Sequence, residues 1–182
     1  MVRRALDVYI TRGSGFHDGK VGERAEQIAR EIGAREVDGA RSSWEHWIEW
    51  REKPIYATHH TSTAAVYPLT PLQREMREAR ERAVGGWLLP DIDIRSHVHR
   101  CSAIQDNAGR WIVTAPAWQL ATAFSHKVAP AKLPSIGGLV ITLDEENQIQ
   151  VKRKRYNLPL PTVTSARVRP STGLRSNPSL RT

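Results

Sequence analysis

Ile92-Asp93-Ile94-Arg95-Ser96-His97-Val98-His99 is the stretch on which the reading of this chain turns. Ile92 and Ile94 alternate with Asp93, Arg95, His97 and His99, which is the period of a half-buried strand. Two histidines one residue apart project to the same side of an extended chain. His97 and His99 are therefore expected to hold one ion together or two adjacent ions. Two more histidine segments precede this one: Arg12-Gly13-Ser14-Gly15-Phe16-His17-Asp18-Gly19 and Ala57-Thr58-His59-His60. Each follows an apolar, strand-like run, so five of the seven histidines fall at the ends of expected strands. Neutral imidazole is a borderline-soft ligand for zinc, iron or manganese.

The order and spacing of these segments resemble the calcineurin-like metallophosphoesterase family. Its second half carries Gly-Asn-His, then a lone metal-binding His after a strand, then Gly-His-x-His. Gly13 to His17 resembles the first, Thr58-His59-His60 the second and Ser96-His97-Val98-His99 the third. The resemblance runs from about Val8 to Tyr156 and covers the C-terminal half of the family pattern. The family's Asp-x-His and Gly-Asp motifs are absent, and only twelve residues precede Gly13. Ser14 stands near the place of the metal-binding Asn, and Ser96 replaces the Gly of the last motif.

The resemblance implies an α/β fold, a metallophosphoesterase-like β-sandwich flanked by helices and lacking its N-terminal strands. It also implies divalent metal ions, two in a complete site. His59 and His97 would bind one metal and His99 would join the other. His17 would act on the phosphoryl group as the catalytic residue. Of the adjacent pair, His59 is expected to reach metal, while His60 packs or lines the cleft. The substrate would be a phosphomonoester or phosphodiester, nucleic acid included, and a partner polypeptide would supply the missing half. A single-metal, three-histidine site through His59, His97 and His99 is a further expectation. A different class of function is a non-catalytic nucleic-acid- or protein-binding module that keeps the fold.

Composition narrows the setting. A chain of 182 residues with 40% hydrophobic and 25% charged residues suits one soluble globular domain. No apolar run reaches membrane-spanning length, no signal-peptide pattern is present, and the single cysteine, Cys101, fits a reducing compartment. A cytoplasmic protein is expected. The net charge of +8 resides entirely after Glu146, where eight Lys and Arg residues meet no acidic one. The rest has 19 basic and 19 acidic residues. A basic end strengthens phosphate binding, but Tyr156 is the lone aromatic residue in it, so the sequence lends base stacking no support.

The remaining elements follow from pattern. Ala25, Ile28, Ala29 and Ile32 mark one face of a helix over 22–32 that Gly33 stops. Thr70, Pro71 and Gln73 read as the capped start of a second helix with Leu72, Met76, Ala79 and Ala83 buried and its Arg and Glu residues solvated. Asp106 to Gly109 and Asp144 to Asn147 read as the turns of two hairpins. Trp44, Trp47 and Trp50 are expected to pack, and His46 to be structural or exposed. Residues 1–158 form the expected domain, with a disordered basic tail over 159–182.

Overall fold

The computed structural model describes residues 7–61, 67, 69–120, 127 and 134–156, except the side chains of Phe16 and His17. The expected tail and His126 lie outside the described residues. The fold is mixed α/β, the class the sequence pointed to. Its centre is a five-stranded sheet ordered β3 (Glu45–Trp50), β4 (Lys53–Thr58), β5 (Ile92–Arg95), β7 (Trp111–Thr114) and β6 (Ser102–Gln105). β4, β5 and β7 run parallel, and antiparallel partners β3 and β6 close the two edges. Parallel neighbours end at the same side of a sheet, so the loops after β4, β5 and β7 emerge together.

The central strands β5 and β7 are short and mostly buried, whereas β4 is half-buried throughout. Ile92, Ile112 and Val113 are almost fully buried. Leu72 joins them from α3 (Thr70–Val84), the helix that links β4 to β5 and packs on β6 and β7. Each such side chain contributes about 1.5–3 kcal/mol of burial free energy. Arg80 of α3 also reaches Asp106 in the β6–β7 turn at 2.5 Å. Burial pushes the Asp106 carboxyl up, yet bonds from Arg80 and Arg110 leave it below its usual range.

Two smaller units flank the sheet. β1 (Ile10–Thr11) pairs in parallel with β2 (Ser42–Ser43), and α1 (Gly15–Asp18) and α2 (Glu23–Glu31) lie between them in sequence. Glu26 of α2 fastens this unit. Its carboxylate accepts bonds from the Ser42 hydroxyl at 2.7 Å and from the Arg41 and Ser42 amides, which hold its pKa down at about 2. β8 (Gly137–Leu143) and β9 (Ile149–Arg155) form an antiparallel ribbon. The ribbon meets the main sheet where the Trp111 indole donates to the Ile149 carbonyl at 3.2 Å. At Gly137 (φ 151°) an added Cβ would run into the Lys154 carbonyl, so glycine is required for the strands to approach.

Several local expectations are corrected. The second helix begins with Leu69 already helical and no side-chain cap, so Thr70 lies inside it and no capping box forms. Glu75, expected in solvent, is buried. In α2, Ala25 and Ala29 are buried but Ile28 and Ile32 are each 52% exposed, because no described element covers that stripe. The tryptophans flank or lie in a strand, not on one packed face, and Trp44 and Trp47 are each 44% exposed. His46 is structural: buried, with Nε2 3.0 Å from the Ile10 carbonyl.

Candidate metal and phosphoester site

His59 and His60 follow the last residue of β4, and His97 comes two residues after β5. Because these strands are adjacent and parallel, their ends deliver the imidazoles to one place. His59 Nε2 stands 3.2 Å from His97 Nδ1. The three ring centroids of His59, His60 and His97 are mutually 5.1–5.2 Å apart. The glycine-rich segment abuts them: a Cβ on Gly13 would be 3.5 Å from His59 Cε1 and 2.7 Å from the Asp18 carboxylate. Asp18 itself accepts the Gly13 N–H, so it caps the turn. His17 sits in α1, and its side chain lies outside the described part of the molecule.

The strand expected to run to His99 ends at Arg95. Ser96 N–H donates to the His59 carbonyl at 3.1 Å, tying the two histidine loops together. Val98 N–H then donates back to the Ser96 carbonyl at 2.8 Å, with φ 71° at His97 between them. That is a γ-turn with a left-handed central residue, a rare and costly backbone for a side chain with a Cβ. His99 also has φ 52°, and its carbonyl accepts from Ser135 N–H at 2.8 Å. His97 and His99 therefore do not project from one extended strand. Strain of this kind persists where surrounding bonds over-determine it.

Beneath the loops lies a buried charged cluster. Arg95 grips Asp93 with both prongs, Nε to Oδ1 at 2.6 Å and Nη2 to Oδ2 at 2.9 Å. Nη2 also stands 3.3 Å from Glu75 of α3, and Nη1 donates to the His60 carbonyl at 3.2 Å. Burial pushes Asp93 upward, opposed by the Arg95 fork, and the two carboxylates beside Arg95 hold the guanidinium charged. The Tyr56 ring lies under the guanidinium at 5.2 Å, and burial with the Glu45 carboxylate pushes its phenol to about 12. The signal for this cluster was the unbroken Asp93-x-Arg95 alternation leading straight into Ser96-His97.

Two ligand nitrogens about 2.1 Å from a tetrahedral zinc stand about 3.4 Å from each other. The 3.2 Å separation of His59 Nε2 and His97 Nδ1 fits one edge of such a site. Among the described residues no three His, Cys, Asp or Glu side chains form a metal-holding group. The left-handed turn means that His97 and His99 reach any shared site from a loop and not from one extended strand.

No protein-family model matches the chain, and no curated protein matches it. Among solved structures it is similar to a single mutant of Vps29 from Entamoeba histolytica. That match has 13% identity and a TM-score of 0.39, and covers 68% of this chain and 65% of that one. Wild-type Vps29 complexed with zinc, from the same organism, matches at 16% identity and TM-score 0.41, over 76% of this chain and 79% of that one. A novel archaeal phosphodiesterase matches at 12% identity and TM-score 0.42, over 82% and 71%. The chain thus spans slightly less than two thirds of the first of these proteins. At TM-scores below 0.5 the three likenesses carry no argument about the site. Among the described residues no helix is long and apolar enough to cross a membrane.

Proposed function

We propose that this chain belongs to a metal-dependent phosphoesterase acting on phosphomonoesters or phosphodiesters. The observation that carries the reading is the 3.2 Å approach of His59 Nε2 to His97 Nδ1 at the ends of two parallel strands. The order of the three histidine motifs supports it independently. In this reading His59 and His97 hold one divalent ion (manganese, iron or zinc), and His99 joins a second. When bound, the ions activate water and neutralise phosphoryl charge. His60 walls the cleft with its ring. His17 stabilises the phosphoryl group or protonates the leaving oxygen. Arg95 is a positioning residue that fixes the His60 carbonyl and, with Asp93 and Glu75, the base of both loops.

A partner polypeptide that completes the site belongs to the same proposal. Its supports are the uncovered apolar side chains Val21, Ile28 and Ile32 by α2 and Trp87 and Leu88 after α3, all more than half exposed. The cytoplasm is the proposed setting, which the single cysteine suits. A second reading, a non-catalytic binding module, is favoured by one observation: no three-donor group assembles among the described residues.

Metal titration separates the two. Calorimetry with zinc or manganese should show binding in the unaltered chain, a clear loss in His59→Ala and His97→Ala, and retention in His46→Ala, provided that circular dichroism shows this last variant folded. Binding that is absent, or that survives both site variants, would overturn the enzymatic reading.

A further inference from the structure

Successive residues of a strand face opposite sides, and directly opposed residues share a side. In the β8–β9 ribbon, Lys152 opposes Val140 and Lys154 opposes Gly138. Tyr156 extends the same row, since its N–H donates to the Ile136 carbonyl at 3.0 Å. Lys154 Nζ lies 5.7 Å over the Tyr156 ring, which puts cation and ring on one face. A second ring arrives from a distant part of the chain. Ala117 bridges to Ile136, with Ala117 N–H donating to the Ser135 carbonyl at 2.8 Å, and this seats Trp118 beside Tyr156. Their centroids are 5.1 Å apart with planes tilted by 45°. Trp118 is 74% exposed and Tyr156 44%, a large apolar area left in water. Gly138 adds no side chain, and nothing would meet a Cβ there within 4 Å, so the face stays open between lysine and rings.

The charges on this ribbon are equally unspent. Lys152, Arg153, Lys154 and Arg155 are all exposed, and none forms an ion pair among the described residues. Lys152 and Lys154, without an ion pair among the described residues and in line with two accessible rings, match the chemistry of a single-stranded nucleic acid. The lysines neutralise phosphates, and the rings receive unpaired bases. A duplex keeps its base faces stacked inside and cannot use the rings. A membrane-inserting element would lead with an apolar tip, whereas the turn of this ribbon carries Asp144, Glu145 and Glu146.

We propose that the outer face of the β8–β9 ribbon, with Trp118 and Tyr156 as stacking platform and Lys152 and Lys154 as phosphate contacts, binds single-stranded nucleic acid. The proposal is argued from the ribbon and its two rings alone and does not rest on the phosphoesterase reading. The test uses the full chain with a chelator present, so that metal plays no part. Fluorescence anisotropy is followed with labelled uridine and thymidine oligonucleotides of about 12 residues, a length within the usual site size. Binding should weaken as salt rises. Trp118→Ala and Tyr156→Ala should each weaken it by roughly 5- to 100-fold. Tyr156→Phe should restore it, since a phenyl ring still stacks. Lys152→Ala with Lys154→Ala should flatten the salt dependence. Circular dichroism confirms that each variant is folded. No binding, binding unchanged by both ring substitutions, or preference for the matching duplex or for phosphatidylserine vesicles would overturn the proposal.

Discussion

Arg95 donates to the carbonyl of His60 at 3.2 Å while its other nitrogens are clamped by Asp93 and Glu75. One buried guanidinium thus joins the floor of the sheet to the loop that presents two histidines. Removing it takes the guanidinium fork from Asp93 and the nearby cation from Glu75, both buried. Arg95→Ala is expected to cost about 3–5 kcal/mol, the usual penalty for breaking a buried pair from one side. Arg95→Lys keeps the charge but loses the fork, and should fall between it and the unaltered chain. Urea unfolding measures both, and equal stability of all three proteins would show that the cluster does not hold the loops.

Hydrolysis should separate roles that metal binding alone does not. On the proposed reading the isolated chain is expected to be weak on a model phosphodiester, and the proposed partner polypeptide should raise the rate. In that active mixture His17→Ala should lose at least about 100-fold in kcat while keeping metal, the usual range for an acid–base group. His97→Ala should lose metal and activity together. Paired turnover and metal analysis decides this, and full activity in both variants would remove the assignment.

Acid should loosen the β1–β2 unit in a defined window. Glu26 has a folded pKa of about 2 against an ordinary 4.5, so its carboxylate bonds stabilise the protein fully above 4.5. That contribution is lost as pH falls from 4.5 through about 2. Glu26→Gln should be less stable at neutral pH, and its disadvantage should shrink across this window. Thermal melts at stepped pH provide the check. Parallel curves for the two proteins would mean that Glu26 is not the group responsible.

The β3–β4 hairpin turns through Arg51 (φ 49°) and Glu52 (φ 65°), a two-residue turn whose backbone favours Asn-Gly. Neither residue present is suited to it. The double change Arg51→Asn with Glu52→Gly should stabilise the chain by about 1 kcal/mol, seen as a rise in Tm of a few degrees. A lower Tm would mean that these side chains make contacts worth more than the turn strain.

The sequence disclosed what local chemistry dictates. Asp106 to Gly109 and Asp144 to Asn147 announced both hairpins, because an Asp carboxylate that accepts nearby amides is encoded within five residues. The histidine convergence was legible for a similar reason: apolar runs ending in His imply strand ends. The left-handed turns at His97 and His99 were not, since alternation of side chains says nothing of where a ladder stops. Glu75 read as solvated because its counter-charge, Arg95, comes from another element. Trp118 and Tyr156 meet only through the pairing of Ala117 with Ile136, a long-range event without a local signature.

The three inner strands end on one side, and the loops that follow them carry His59, His60, His97 and His99, the γ-turn and the route to Trp118. The ladder asks little of those loops beyond closing. Holder and tool are therefore separable. Drift within Ile92, Ile112 or Val113 is punished as lost solubility, whereas drift within 59–61, 96–101 or 115–120 changes what the molecule grips. Substitutions in those loops are therefore expected to alter what is bound at a smaller cost in stability than substitutions in the strands.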